Sequence, residues 1–574
     1  MNNPAQNITI KIAGEAGFGI KIAGATLGKV LSRMGYQMFD YTEYPSLIRG
    51  GHNTFEVTVG ERVHHHTRPV HLLIALNQAS VDLHQSELSF DAGVIYDSEK
   101  TKPGTGPWKL YPVPLSRITK DVGGSELMKN TVALGAALAV LGAPVEGLLA
   151  ILREAFAKKK QTIIDQNVKA ASSGYQFVRD TFPELFPHQV TRLGERRQMY
   201  VTGNEAVGLG AIAAGCRAYF AYPMTPSSSL LEFMAKKGPK VGMVVRQPED
   251  EISVLNTAIG AGFMGIRSMV GTSGGGYSLM VEATGLAGIT ETPVVIYMGQ
   301  RPGPATGLPT WSGQADLRFL MHAAQDEFPR LIVAPGDQEE CFYLTAEAFN
   351  FAEKYQMPVF VLMDKNLAEG GKTVAPFDQS KIKIERGEWV SAEDIKKEGK
   401  YLRFKVTESG ISPRVLPGTA GGIHETNSDE HDEYGYNIED IPNRNAQMEK
   451  RMRKLERARA EIPPPNLYGP KDASLSLVSW GSTKGTILQA LEELSNVSVN
   501  FIHFNYLWPF PTQDAVKMLQ SAKQLMVVEN NFTGQFDGLI RQYVGIVPQH
   551  HLRKYDGRPF WPHEIVDKVH EVIK

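Results

Sequence analysis

Cysteine is almost missing from this chain of 574 residues: Cys216 and Cys341 are the only two. Two thiols cannot build a disulfide framework, and such scarcity suits a reducing compartment, so a cytoplasmic location is expected. Nor can two thiolates supply the four ligands of an iron–sulfur cluster. Long apolar runs are missing as well. No stretch approaches the roughly 20 residues of a membrane-spanning helix, and no charged N-terminal segment leads into an apolar one. Neither a membrane span nor a signal peptide is expected. Charge of one sign is also missing. Lys and Arg number 60 and Asp and Glu 62, for a formal net charge of −2. That leaves no basic field for nucleic acid.

What is present is the composition of a globular chain, 42% hydrophobic and 21% charged, long enough for about three or four domains at roughly 100–200 residues each. Residues 7–13 alternate apolar and polar as a strand does. Gly14, Gly17 and Gly19 follow, then a helix-periodic segment over residues 20–35. The order G-x-x-G-x-G differs from the dinucleotide fingerprint, so the turn is either structural or a backbone anion site. Strand-like alternations at 53–60, 70–77 and 92–98 complete an α/β domain over 1–190. The run His64–His65–His66 lies inside it. Consecutive residues point different ways on a strand or helix, which argues against a shared metal. A second strand–helix series over 196–370 implies a mostly parallel sheet. Residues 371–470 are polar and rich in Pro and Gly. They read as a connecting segment with an acidic lid or docking loop, followed by a basic helix whose charged face is solvated. Residues 471–574 restart the alternation as a third α/β domain. The fold class is therefore α/β, in three α/β domains.

Several turns carry residue types suited to chemistry. Arg49 stands before Gly50 and Gly51, where backbone can approach a carboxylate or phosphate, or simply turn. In YPMTPSSS (222–229), Thr225 suits a helix N-cap and Pro226 the first helical position. The turn also lies where a parallel strand hands over to a helix, the usual ligand edge of such sheets. Glu249, Asp250 and Glu251 in QPEDE are expected in the first turn of a helix opened by Pro248, where they complement the helix dipole or do chemistry. Gly274, Gly275 and Gly276 in TSGGG again lie between strand and helix. Arg301 follows the next strand, as a candidate anion ligand or a structural salt bridge, and a Pro/Gly loop carries Thr306 and Thr310.

YPMTPSSS, QPEDE, TSGGG and YMGQRPGPATGLPT, in that order and spacing, resemble the alpha subunit of the 2-oxoacid:ferredoxin oxidoreductases. GEAGFG and YPSLIRGG resemble that family's gamma domain, fused here ahead of the alpha part. VSWGSTKG, FNYLWPFP and ENNFTGQF resemble its C-terminal domain, which is transketolase-like. The resemblance implies a domain that holds the pyrimidine ring of thiamine diphosphate. It implies cofactor contacts from Pro223, Thr225, Gly274 and Gly275, with Glu249 as the carboxylate on the ring. It further implies that Arg301, Thr310 and Arg49 face the substrate, and that coenzyme A takes the acyl group. Two parts of that machinery are missing from this sequence, the G-D-G diphosphate motif and the cluster cysteines. In the resembling family both belong to a beta subunit, which would hold Mg and a four-iron four-sulfur cluster. The resemblance thus implies half of a hetero-oligomer, a dimer of αβ units that passes electrons to ferredoxin. Its preferred substrate is 2-oxoglutarate, with pyruvate, branched-chain and aryl 2-oxoacids as alternatives. A non-catalytic ligand-binding or electron-transfer scaffold is the rival from another class.

Overall fold

A computed structural model describes residues 7–47 and 50–573. They divide into two compact units. One comprises the chain through Val201 with Gly370–Pro376 and Trp561–His563, and the other comprises the remainder.

The first unit is built on a mixed sheet. Strands Lys109–Val113, Leu88–Asp97, Val70–Ala75 and Ile8–Glu15 run parallel, in that spatial order. His52–Gly60 and then Gln37–Glu43 continue it antiparallel. Gly371–Val374, which the sequence reading assigns to the connecting segment, pairs with Gln37–Glu43. The strand Ile8–Glu15 is buried at every position but its last, because helices cover one face and side chains of neighbouring strands fill the other. The glycine turn after it is structural. Gly17 and Gly19 have φ of 96° and 70°, a region that a β-carbon disfavours. A side chain at Gly19 would also meet Asn130, whose amide donates to the Phe18 carbonyl. His65 and His66 are buried among Phe39, Tyr41 and Trp561, and burial pushes His65 down to about 3. Among the described residues, no group of three His, Cys, Asp or Glu is arranged to hold a metal.

The second unit contains two sheets. The larger has seven strands in the order Tyr506–Trp508, Leu331–Val333, Pro358–Asp364, Val294–Gln300, Ser268–Ser273, Ala218–Ala221 and Val244–Arg246. All run parallel except the first. The central strands are buried along their whole length, as parallel strands covered on both faces must be. The smaller sheet has five strands, with Leu475–Trp480 at its centre. The two sheets share one core. Val270, Ile296 and Phe360 from the first pack in the same cluster as Trp480, Ile502 and Val527 from the second.

Residues 377–470 depart from the expected solvated connection. The helix Ile441–Glu461 buries Lys450, Arg451 and Lys454. Lys450 and Lys454 donate to the two carboxylate oxygens of the fully buried Glu291 at 2.5 and 2.7 Å. Arg403 donates to the carbonyls of Thr290 and Glu291. Arg451 and Arg444 converge on Glu430 at 2.6 and 2.5 Å. Arg267, Arg386 and Arg414 likewise surround Glu353. Glu291 and Arg267 precede the strands Val294–Gln300 and Ser268–Ser273. The connection is therefore clamped at the amino ends of those strands, which leaves their carboxyl ends to the candidate site. Among the described residues, no helix is long and apolar enough to cross a membrane.

Candidate active site at the carboxyl ends of the parallel strands

Three strand-to-helix turns meet at the carboxyl edge of the seven-stranded sheet. The first, Tyr222–Ser227, follows the strand Ala218–Ala221. Its helix starts at Ser228 with Ser227 as the N-cap residue, so Thr225 and Pro226 lie outside the helix and do not cap it. The turn is held from below. Buried Asn204 donates to the Pro226 carbonyl at 2.8 Å and to Ser229 Oγ at 2.7 Å, and its own oxygen accepts from Tyr297 Oη at 2.6 Å. Gly299 allows the close approach, because a β-carbon there would lie 2.9 Å from Pro226 Cγ.

The second turn brings the acids. The helix Glu251–Phe263 begins three residues later than the expected opening at Pro248. Asp250 is its N-cap and accepts from the Ser253 amide at 2.9 Å. Only Glu251 of the three acids lies within the helix. Glu249, to which the resemblance assigns the ring carboxylate, is exposed before the cap. Glu251 is 4% exposed, and its Oε1 is buried with no hydrogen-bond partner. Desolvating a carboxylate oxygen without a donor is costly. Such an atom at a ligand edge marks a place where a donor from outside the chain fits.

The third turn is TSGGG. Gly274 opens the helix Gly274–Ile289 directly after the strand Ser268–Ser273. A β-carbon at Gly276 would lie 2.6 Å from Glu251 Oε1, and one at Gly275 only 3.9 Å from Met224 Sδ. The carboxylate and the YPMTP turn therefore both abut this glycine run. Beside it, Arg301 ends the next strand's exit and donates to the Thr225 carbonyl at 2.9 Å. A cavity of about 310 Å³ is lined by Gly274, Gly275, Ser278, Arg301, Asp316 and Phe319, with Gly303, Pro304 and Ala305 at its rim. A larger cavity of about 760 Å³ lies beyond it, between the two helices and the acidic loop, and includes none of the candidate residues.

The loop from Arg301 to Asp316 is fixed by a buried polar network. Gln314 donates to Asp364 and to the Trp480 carbonyl, and accepts from Thr483 Oγ1 and the Asn530 amide. The ENN motif thus serves to anchor this loop. Thr310 is buried and its Oγ1 has no partner, but it does not line the cavity. Pro223 is exposed at the turn's edge. Arg49 lies outside the described residues. Asp316, Asn204 and Gln314 are the site residues that the sequence reading passed over, whereas Glu251 was named among the three acids but not singled out. Asn204 and Gln314 work through partners distant in the chain, so no local signal marks them. Cys216 and Cys341 are buried and unpaired, and burial pushes Cys216 up to about 12, which makes it an inert core thiol.

A family model described as pyruvate flavodoxin/ferredoxin oxidoreductase, thiamine-diphosphate-binding, matches residues 209–450, and one described as pyruvate ferredoxin/flavodoxin oxidoreductase matches residues 9–177. The 2-oxoacid:ferredoxin oxidoreductase subunit alpha of a Sulfolobus species is 34% identical, with 98% of this chain and 96% of that one covered. The 2-oxoglutarate synthase subunit KorA of Methanothermobacter thermautotrophicus is 33% identical and covers 65% of this chain and 98% of its own length. Among solved structures, 2-oxoglutarate:ferredoxin oxidoreductase from Magnetococcus marinus, with 2-oxoglutarate, coenzyme A and succinyl-CoA bound, matches with a TM-score of 0.93 at 30% identity. That match covers 99% of this chain and 100% of the other. The chain belongs to the 2-oxoacid:ferredoxin oxidoreductase family, alongside its alpha subunits.

Proposed function

We propose that this chain is the thiamine-ring-holding subunit of an enzyme that oxidatively decarboxylates 2-oxoglutarate to succinyl-CoA and passes the electrons to ferredoxin, or runs the reverse reductive carboxylation. The observation that carries the reading is the buried, unpartnered Oε1 of Glu251 against the TSGGG turn. Thiamine diphosphate supplies the carbon nucleophile for the 2-oxo carbon and the sink for the electron pair left by carbon dioxide. The residues present fit it. Glu251, rather than the exposed Glu249, is the carboxylate that accepts from the protonated pyrimidine ring. Asp250 is spent on the helix cap, and Glu249 stands outside the helix.

Gly274 and Gly275 let a flat ring approach the backbone, and Thr225 and Pro223 form the opposing edge. Arg301 binds the 2-oxoacid carboxylate, oriented by its bond to the Thr225 carbonyl. Thr310 and Arg49 are assigned to substrate contact on the family resemblance alone. The substrate assignment is supported by the ligands named for the Magnetococcus marinus structure and by the 2-oxoglutarate synthase relatives. A beta subunit with the diphosphate motif, Mg and the four-iron four-sulfur cluster completes the site in a dimer of αβ units in the cytoplasm.

The test is co-purification with the partner, followed by assay of 2-oxoacid- and coenzyme A-dependent reduction of ferredoxin. Turnover is expected with 2-oxoglutarate ahead of pyruvate, branched-chain and aryl 2-oxoacids, and none with the chain alone. Ferredoxin reduction with no 2-oxoacid preference would refute the substrate assignment, and absence of any turnover by the assembled complex would refute the reading itself.

A further inference from the structure

The cavity beside TSGGG holds a second ionisable group that the reaction scheme above does not use. Asp316 stands on its wall together with Arg301, and among the described residues these two are the titratable side chains that line it. Its backbone amide donates to Gln300 Oε1 at 3.0 Å, which fixes the residue. Its carboxyl does not cap the six-residue helix Leu317–His322 that follows. A β-carbon at Gly274 would lie 3.1 Å from Asp316 Oδ2, so the carboxyl presses against the first glycine of the turn. Gln300 Nε2 and Ser273 Oγ, at the ends of the two adjoining strands, are buried without partners. Polar groups on the strands behind the cavity are thus unsatisfied, and the Asp316 carboxyl shares with Arg301 a space of about 310 Å³, room enough for a small dicarboxylic acid.

We propose that Asp316 is a substrate-binding residue whose protonated carboxyl donates a hydrogen bond to the 2-oxoacid held by Arg301. The inference rests on the proposed function. Its physical basis is charge. An ionised Asp316 would oppose an anionic substrate in a desolvated cavity, whereas a neutral carboxyl contributes a donor there. Burial already pushes the carboxyl up to about 6, against the opposing pull of Arg301. A bound substrate anion raises it further. On the neighbouring elements, the Arg318 amide is tied to Gln535, and Arg318 and His322 do not line the cavity. Substrate binding above pH 6 therefore takes up a proton, and only the neutral form of the site binds well.

Two readouts on the assembled holoenzyme test this. The first is the pH dependence of KM for 2-oxoglutarate. In the wild type KM should rise by up to about tenfold per pH unit between pH 6.5 and 8.5. The substrate's own carboxylates stay ionised throughout that range. In Asp316→Asn, which is neutral at every pH and keeps a donor, the slope should vanish, whereas Asp316→Ala should raise KM at pH 6. The second readout uses 2-hydroxyglutarate, which has no 2-oxo carbon to react. Calorimetry in buffers of different ionisation enthalpy should show uptake of about 0.9 proton per site at pH 7 in the wild type, since a group with this pKa is about one-tenth protonated when free. None should be taken up in D316N. A KM slope that persists in D316N, or a flat wild-type profile, overturns the inference and leaves the proposed function standing. Absence of turnover with every 2-oxoacid overturns both.

Discussion

Replacing Glu291 with glutamine tests what holds the 377–470 connection to its sheet. Glu291 is fully buried, and so are the two ammonium groups that meet it. Lys450 also donates to the Phe404 carbonyl and Ser412 Oγ, and Lys454 to the Gln356 carbonyl. Burial alone would raise the Glu291 carboxyl, but Lys450 and Lys454 hold it well below the usual range. Burial pulls Lys450 down to about 8, with Glu291 opposing the fall. Glu291→Gln keeps the shape and removes the anion, which leaves two cations in the interior. Breaking a buried pair in this way costs about 3–5 kcal/mol, far above the ~0–1 kcal/mol of an exposed one. Urea denaturation should report that loss, and amide exchange in residues 441–461 should quicken with it. Removing all three charges together (E291Q with K450M and K454M) should recover most of the stability, because a well-packed apolar replacement costs little. A loss below about 1 kcal/mol for E291Q alone would refute the reasoning.

Two further outcomes follow from the site. Arg301→Lys should raise KM for the 2-oxoacid by about tenfold or more, since a single ammonium cannot reproduce a two-pronged guanidinium contact; steady-state kinetics equal to wild type would make Arg301 structural. Asp316→Asn should raise thermal stability at pH 7.5. The folded carboxyl lies at about 6 against a reference of 3.8, so the native state binds the extra proton between those values. Its destabilising effect therefore grows as pH rises through that window and is complete above it, at up to about 3 kcal/mol. Melting curves of the two forms should converge near pH 4, and a gap independent of pH would contradict the assignment.

Much of the sheet architecture was legible because strand alternation and glycine turns are local signals. The strands at 8–15, 268–273, 294–300 and 475–480 form where the apolar runs put them. The strands Gln37–Glu43 and Gly371–Val374 escaped because neither alternates for long and each is specified by its neighbours. The basic helix was misjudged for a related reason. A buried ammonium and a solvated one look the same in sequence, and Lys450 finds Glu291 159 positions away. Within the site, the turns were visible but the roles of the three acids were not. Which acid is buried depends on where the helix starts, and that was settled by the Ser253 amide donating to Asp250, a choice that Pro248, three residues before Glu251, obscured. Asp316 was invisible because nothing in its local sequence distinguishes a helix-leading acid from one turned into a cavity.

The central claim is that Glu251 is the acid on the pyrimidine ring. Its direct test is proton–deuterium exchange at the thiazolium carbon of bound thiamine diphosphate, in the assembled complex with no substrate. Glu251→Gln should slow exchange by about 100-fold or more, as for loss of an acid–base group, while Glu249→Gln and Asp250→Asn should stay close to wild type. Slow exchange in the Glu249 variant with Glu251→Gln unaffected would contradict the account.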